Sequence, residues 1–218
     1  MLASGELTPG KRLVNRALAD KIGVSVIPVR EAIRRLASEG LIDHIPGAGA
    51  FVKTLSRRDL DNLYVLRDAL ESCAAAEAAR NITEHQIKEI ERSLDCARKI
   101  VVQIRQQPEG YGTMEQLDRW LDNEQKFHHL LVEASRNELL AKVIADNRAI
   151  GSIFEAQRSD PRLLAVDVAE ETCESKAKLI HALRDHDADL ARKLMSAQIQ
   201  RGRSVVLGFY QSGHKPWG

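Results

Sequence analysis

Aromatic residues are scarce in this chain: four Phe, three Tyr and two Trp make up 4% of 218 residues. With few β-branched residues and abundant Ala, Leu, Glu, Arg and Lys, that scarcity argues against a β-sandwich or barrel. It points to a mostly α protein. Proline is also rare, 6 in all, and beyond residue 53 it occurs only at 108, 161 and 216. No run of 18 apolar residues exists, so nothing reads as a membrane span. The first residues, MLASGELTPGKRL, hold no apolar stretch of signal-peptide length, and secretion is not expected. The three cysteines, Cys73, Cys96 and Cys173, are odd in number, far apart and without a CxxC pair. A disulfide framework or zinc ribbon is thereby excluded, and free, buried thiols in a reducing cytoplasm are expected. Net charge is nearly absent too, at +1. That rules out a uniformly basic protein, but not a nucleic-acid partner, because the placement of charge decides.

What is present divides near residues 53–57, giving an N-terminal segment of residues 1–55 and a C-terminal segment of residues 56–218. Before the boundary, short elements alternate with Gly and Pro; after it, long helical periods dominate. Residues 1–53 carry 8 Lys+Arg against 5 Asp+Glu, a charge of +3, and the remainder carries 24 against 26, or −2. A basic module thus precedes a mildly acidic one. The C-terminal segment reads as six helices over 57–80, 83–106, 113–135, 137–158, 163–185 and 187–208. Thr83 with Gln86 forms a capping box at one start. Leu60, Leu63, Tyr64, Leu66 and Leu70 give one apolar face, and Leu117, Trp120, Leu121, Phe127, Leu130 and Leu131 another. Short connections between such helices favour an antiparallel bundle.

In the N-terminal segment, residues 15–22 form a short helix with Leu18, Ala19 and Ile22 inward. Gly23 supplies a left-handed turn, Val24 plugs the core, and Ser25 starts the next element. Pro28 falls in the first turn of the second helix, where a missing N–H costs little. From Val29 onward the pattern buries Val29, Ile33 and Leu36 and turns Arg30, Arg34 and Arg35 outward. This is a helix-turn-helix, whose second helix enters the major groove by its N-terminal residues. Residues 40–52 read as two short strands around a Gly-rich turn. This is a wing, whose Gly47 and Gly49 allow close approach to a phosphate backbone or minor groove.

Gly5-Glu-Leu-Thr-Pro-Gly10, Leu18-Ala19, Gly23-Val-Ser25, Pro28-Val-Arg-Glu-Ala-Ile-Arg-Arg-Leu36, Glu39-Gly-Leu41 and Gly49-Ala-Phe-Val52 closely resemble GntR-family transcription regulators. The resemblance implies DNA contacts from Arg16, which opens the first helix of the motif, and from Arg30. Arg34, one turn further on, is expected at phosphate, and Gly49 matches the wing-tip glycine. Two departures stand out. Val26 occupies a position usually held by arginine, where it loses a contact or reads a thymine methyl. Gly47-Ala48 replace the Asn-Arg usual in the wing. The family also places a helix before Gly5, whereas only four residues precede it here. Either the true start lies upstream of Met1 or the module lacks its first helix, and a misplaced or truncated start is the expectation.

The C-terminal segment resembles the all-helical effector domain of the FadR-like branch, called FCD. The resemblance rests on Leu66-Arg-Asp-Ala-Leu-Glu71, Phe127-His-His-Leu-Leu131, Ala134-Ser-Arg-Asn137 and Ala182-Leu-Arg-Asp-His-Asp-Ala-Asp-Leu-Ala191. Many such domains hold a divalent metal with one Asp and three His. Those four positions become Glu124, His128, Lys176 and Gln198 here, and only His128 matches. An ammonium among the donors repels a metal and substitutes for its charge, so no metal and no cofactor is expected. Lys176 either pairs with Glu124 or awaits the carboxylate of an effector. Arg67 is a second candidate for holding an anion. The competing reading makes Glu124 and His128 an exposed i, i+4 pair, with Lys176 and Gln198 on the surface as well.

The resulting expectation is a cytoplasmic, ligand-responsive regulator that binds double-stranded operator DNA as a homodimer on an inverted repeat. Its effector is a small organic acid bound by Arg67, Glu124, His128, Lys176 and Gln198. Ser25, Val26, Pro28, Arg16, Arg30, Arg34 and Gly49 face DNA. Two alternatives remain open at this point: a helical sensor that has lost DNA binding, and an acid–base enzyme using Glu124 and His128. Against the enzyme stands the lack of a partnered nucleophile or a phosphate-cradling Gly-rich loop.

Overall fold

A computed structural model describes residues 7–147, 153, 157–158 and 160–211. The elements among the described residues begin with strand β1 (Arg12–Leu13), then helices α1 (Asn15–Ile22) and α2 (Val26–Ser38), and strands β2 (Ile42–Ile45) and β3 (Gly49–Val52). The three strands form one antiparallel sheet in the order β1-β3-β2, with Arg12 opposite Phe51 and Ile45 opposite Gly49. Pro46 and Gly47 turn β2 into β3. The Ala48 N–H donates to the Ile45 carbonyl (3.0 Å) and Gly47 has φ +76°, which makes a type II turn with the residues that type requires. Leu13, Ala19, Val29, Ile33, Ile42, Ala50 and Val52 form a small core of their own.

Among the described residues six further helices follow: α3 (Arg57–Asn81), α4 (Glu84–Ile104), α5 (Met114–Ala134), α6 (Glu138–Asp146), α7 (Val166–Arg184) and α8 (Ala188–Gln211). A 3-10 turn, Pro161–Leu163, precedes α7. Their starts are written locally. Ser56 with Asp59, Thr83 with Gln86 and Thr113 with Gln116 each close a capping box, satisfying two otherwise orphaned backbone donors reciprocally. α3 packs chiefly along α8, and α4 packs against α5 and α7. Their facing sides merge into a second, larger core that includes Leu60, Tyr64, Ile90, Phe127, Leu179 and Met195. The mostly α class and the winged head ahead of a helical bundle agree with the sequence reading.

Some expectations need correction. Ile22 and Val24 are exposed, at 53% and 45%, so neither plugs the small core: the turn carries them to a side where no described element packs. Leu66 is exposed on α3, because the helix buries the neighbouring face toward α8. Of the three thiols only Cys173 is buried; Cys73 is half-buried and Cys96 exposed. The fourth predicted helix, 137–158, is described as helix over Glu138–Asp146, and most of its second half lies outside the described residues.

Candidate functional site

Two places concentrate the chemistry. In the head, Gly23 ends α1 with φ +77°, and its N–H returns to the Ala19 carbonyl. The reversal needs a residue tolerant of left-handed backbone, which is why glycine stands there. Ser25 then precedes α2 as its N-cap, with its side chain making no capping bond. Pro28 is the third residue of that helix, still within the turn whose N–H groups have no helical acceptor. Arg16, Arg30 and Arg34 are exposed. Arg35 is exposed as well and pairs with Glu39 at 3.0 Å, toward the C-terminal end of its own helix. Val26 is half-buried and packs on the small core. The apolar side chain that stands free at the start of α2 is Ile27, 68% exposed, a residue that the sequence pattern does not single out.

In the bundle, the four positions Glu124, His128, Lys176 and Gln198 are all buried, at 8%, 8%, 0% and 9% exposure. They are not an exposed pair with surface companions. A cavity of about 80 Å³ is lined by Arg67, Glu124, His128 and Gln198, with Tyr64 and Thr172 also on its wall. Lys176 does not line it. Its ammonium is ion-paired with Glu124 across α7 and α5 and sits 4.2 Å from the centroid of the Phe127 ring. Pairing plus a π face offsets part of the cost of taking a lysine side chain out of water.

On α3, Arg67 donates through Nε to Glu71 at 2.8 Å, an i, i+4 pair buried on both sides. Glu71 in turn meets His128 Nδ1 on α5 at 2.5 Å. Burial by itself would raise the Glu71 carboxyl, but Arg67 and then His128 hold it down to about 2. Burial pushes His128 below the usual histidine value, with Glu71 opposing and Arg67 adding to the shift. Sequence reasoning does not place Glu71 in the site. Its only signal is the i, i+4 spacing from Arg67, since the contact with His128 joins two helices.

The first 52 residues match the family model "Bacterial regulatory proteins, gntR family", and residues 62–201, more than half the chain, match the FCD domain. The chain belongs to the GntR family. It is similar to the HTH-type transcriptional repressor RspR of Escherichia coli K12, at 27% identity over 194 residues, 89% of this chain and 78% of that one. It is 35% identical to the regulator McbR of the same organism over 116 residues, about half of each chain (53% and 49%). The solved structure of E. coli McbR/YncC superimposes with a TM-score of 0.72 at 24% identity, covering 98% of this chain and 93% of that one. That likeness shows the fold.

As a GntR-family member with an FCD domain, the chain is a DNA-binding transcription regulator. Its relatives are named as regulators, not enzymes, so an acid–base enzyme is set aside. The divalent metal implied by the FCD resemblance does not suit the residues present. Glu124 is already neutralised by the Lys176 ammonium, and a cation brought among these donors would meet that charge at close range. Among the described residues no cluster of three or more His, Cys, Asp or Glu is placed to hold a metal ion. No helix among them is long and apolar enough to cross a membrane.

Proposed function

We propose that this regulator is a cytoplasmic homodimer that reads an inverted repeat with two winged heads and releases or grips it in response to a small organic acid. The observation that carries the acid reading is the cavity wall, where Arg67 lines a partly open space in the bundle. A volume of about 80 Å³ accommodates roughly five to eight water-sized groups, the scale of a two- to four-carbon acid. Gln198 Oε1 is buried without a hydrogen-bond partner among the described residues, a cost that a polar ligand beside it offsets.

The wall's charges are already balanced, Arg67 by Glu71 and Glu124 by Lys176, which stands behind the wall. An entering carboxylate therefore shares Arg67 with Glu71 and loosens the Glu71–His128 contact between α3 and α5. α3 begins at residue 57, directly after the wing, so a shift of α3 is communicated to the reading head. Such a shift moves the equilibrium only by the difference in acid affinity between the two arrangements.

In the head, Arg16, Arg30 and Arg34 contact DNA, with Arg30 at a base edge and Arg34 at phosphate. Ser25, Pro28 and Val26 shape the start of α2, and Gly49 brings the wing close to the backbone. Ile27, not Val26, takes the apolar contact with a thymine methyl. The experiment is a selection of bound duplexes from a random pool, followed by light scattering on the complex and a thermal-shift panel of two- to six-carbon acids. A palindromic consensus bound by two chains, with stabilisation by acids of the cavity's size, is the expected result. A non-palindromic site bound by one chain, or indifference to every acid, contradicts it.

A further inference from the structure

The wing carries no cation of its own. Between Gly40 and Val52 the only charged side chain is Asp43, with His44 beside it. The turn itself offers Pro46, Gly47 and Ala48. A wing that approaches phosphates with this composition brings a slight negative charge to a polyanion, which costs binding. Lys53, just past β3, is occupied by Asp59 at 3.5 Å.

Strand β1 supplies what the wing lacks. Arg12 pairs with Phe51 of β3, and its side chain points outward, while Leu13 next to it is buried. From there the guanidinium runs alongside the wing. A Cβ placed on Gly49 would lie 3.5 Å from Arg12 Nε and 3.7 Å from Nη2. The Arg12 guanidinium therefore lies beside Gly49, at the base of the turn. No carboxylate pairs with Arg12 among the described residues. Gly49 has φ +111°, a conformation that L side chains rarely adopt, and it is this backbone that calls for glycine at the position.

We infer that Arg12 is a DNA phosphate contact, the cation of the wing delivered from the neighbouring strand in place of one in the wing itself. The inference rests on the head's reading as a DNA-binding module and adds a residue to it. Its chemistry is that of a point of positive charge at the backbone: it strengthens binding to every sequence and reads none.

The test uses the full chain and a fluorescein-labelled duplex selected by the wild-type protein from a random pool. Binding is followed by anisotropy between 50 and 200 mM KCl, for the wild type, Arg12→Ala and Arg12→Lys, with a scrambled duplex in parallel. For Arg12→Ala the slope of log K against log salt becomes shallower by about 0.9 per wing. Affinity falls to a similar extent on both duplexes, and the melting temperature is retained. Arg12→Lys keeps the wild-type slope. An unchanged slope in Arg12→Ala overturns the inference while leaving the head's role intact, and so does a loss confined to the selected duplex. Failure of the wild type to bind any duplex would take the reading of the head down with it.

Discussion

Replacing Lys176 with Met removes the ammonium but keeps an unbranched apolar stem as far as Cε, and leaves Glu124 buried without its counter-charge. Lys176 is fully buried and Glu124 is 11% exposed at its side chain. This pair therefore belongs with buried ion pairs, whose breaking costs about 3–5 kcal/mol, not with surface pairs worth about 1 or less. Loss of the contact with the Phe127 ring adds about 0.5–2. Together these make about 3.5–7 kcal/mol, and with a urea dependence of about 2 kcal/mol per molar, the midpoint of unfolding should fall by roughly 1.8–3.5 M. The assay is urea denaturation of the full chain followed by circular dichroism at 222 nm, where the bundle dominates the signal. Combining Lys176→Met with Glu124→Leu removes both charges together and should recover most of the loss, since a buried pair is no more stabilising than a well-packed apolar one. A single variant as stable as the wild type, or a double variant worse than the single, would refute this reasoning.

Other outcomes follow from the same geometry. Arg30→Ala should weaken binding to the selected duplex by about 1–3 kcal/mol, a factor of roughly 5–150, and relax base preference at one position per half-site in an anisotropy titration. Glu71 has its carboxyl held down to about 2, from 4.5. Its contribution, on the order of 3 kcal/mol, is therefore complete above the unfolded value and is lost as pH falls from about 4.5 toward 2. His128, held below its usual value by burial, adds to the same direction, because the unfolded chain takes up that proton first. Stability measured by denaturant from pH 7 to pH 3 should decline throughout, and a rise on acidification would contradict the assignment. Thiol labelling of the native protein should modify exposed Cys96 first and Cys73 more slowly. Cys173, buried with its thiol pushed up to about 11, should react only on unfolding. Mass mapping of the labelled peptides reads that order.

What is legible in the sequence is what a few neighbouring residues decide. Thr83 and Gln86 close their capping box through hydrogen bonds within one turn, and Gly23 sets its turn by its own backbone freedom. Both are readable without knowing anything distant. The exposure of Ile22, Val24 and Leu66 escapes the pattern, because periodicity tells which side chains share a face but not whether another element covers it. The site shows the same divide. Spacing places Glu124 and His128 on one side of α5, but their burial depends on α3, α7 and α8 closing over them. Lys176 and Glu124 are 52 positions apart, and Glu71 reaches His128 from another helix. No local pattern carries those distances. Ile27 goes unmarked because an apolar residue at the start of a helix ordinarily reads as core, and only the fold shows it standing in solvent.

The measurement that bears most directly on the account is the coupling between acid and DNA. A preformed complex with the selected duplex is titrated with the acid that gives the largest thermal shift, and DNA affinity is determined at zero and at saturating acid. The account predicts a change in DNA affinity of about 5–150-fold, equivalent to 1–3 kcal/mol. Acid affinity, measured with and without DNA, should change by the same factor. An acid that occupies the Arg67 cavity yet leaves DNA affinity unaltered would contradict the claim that the bundle governs the reading head.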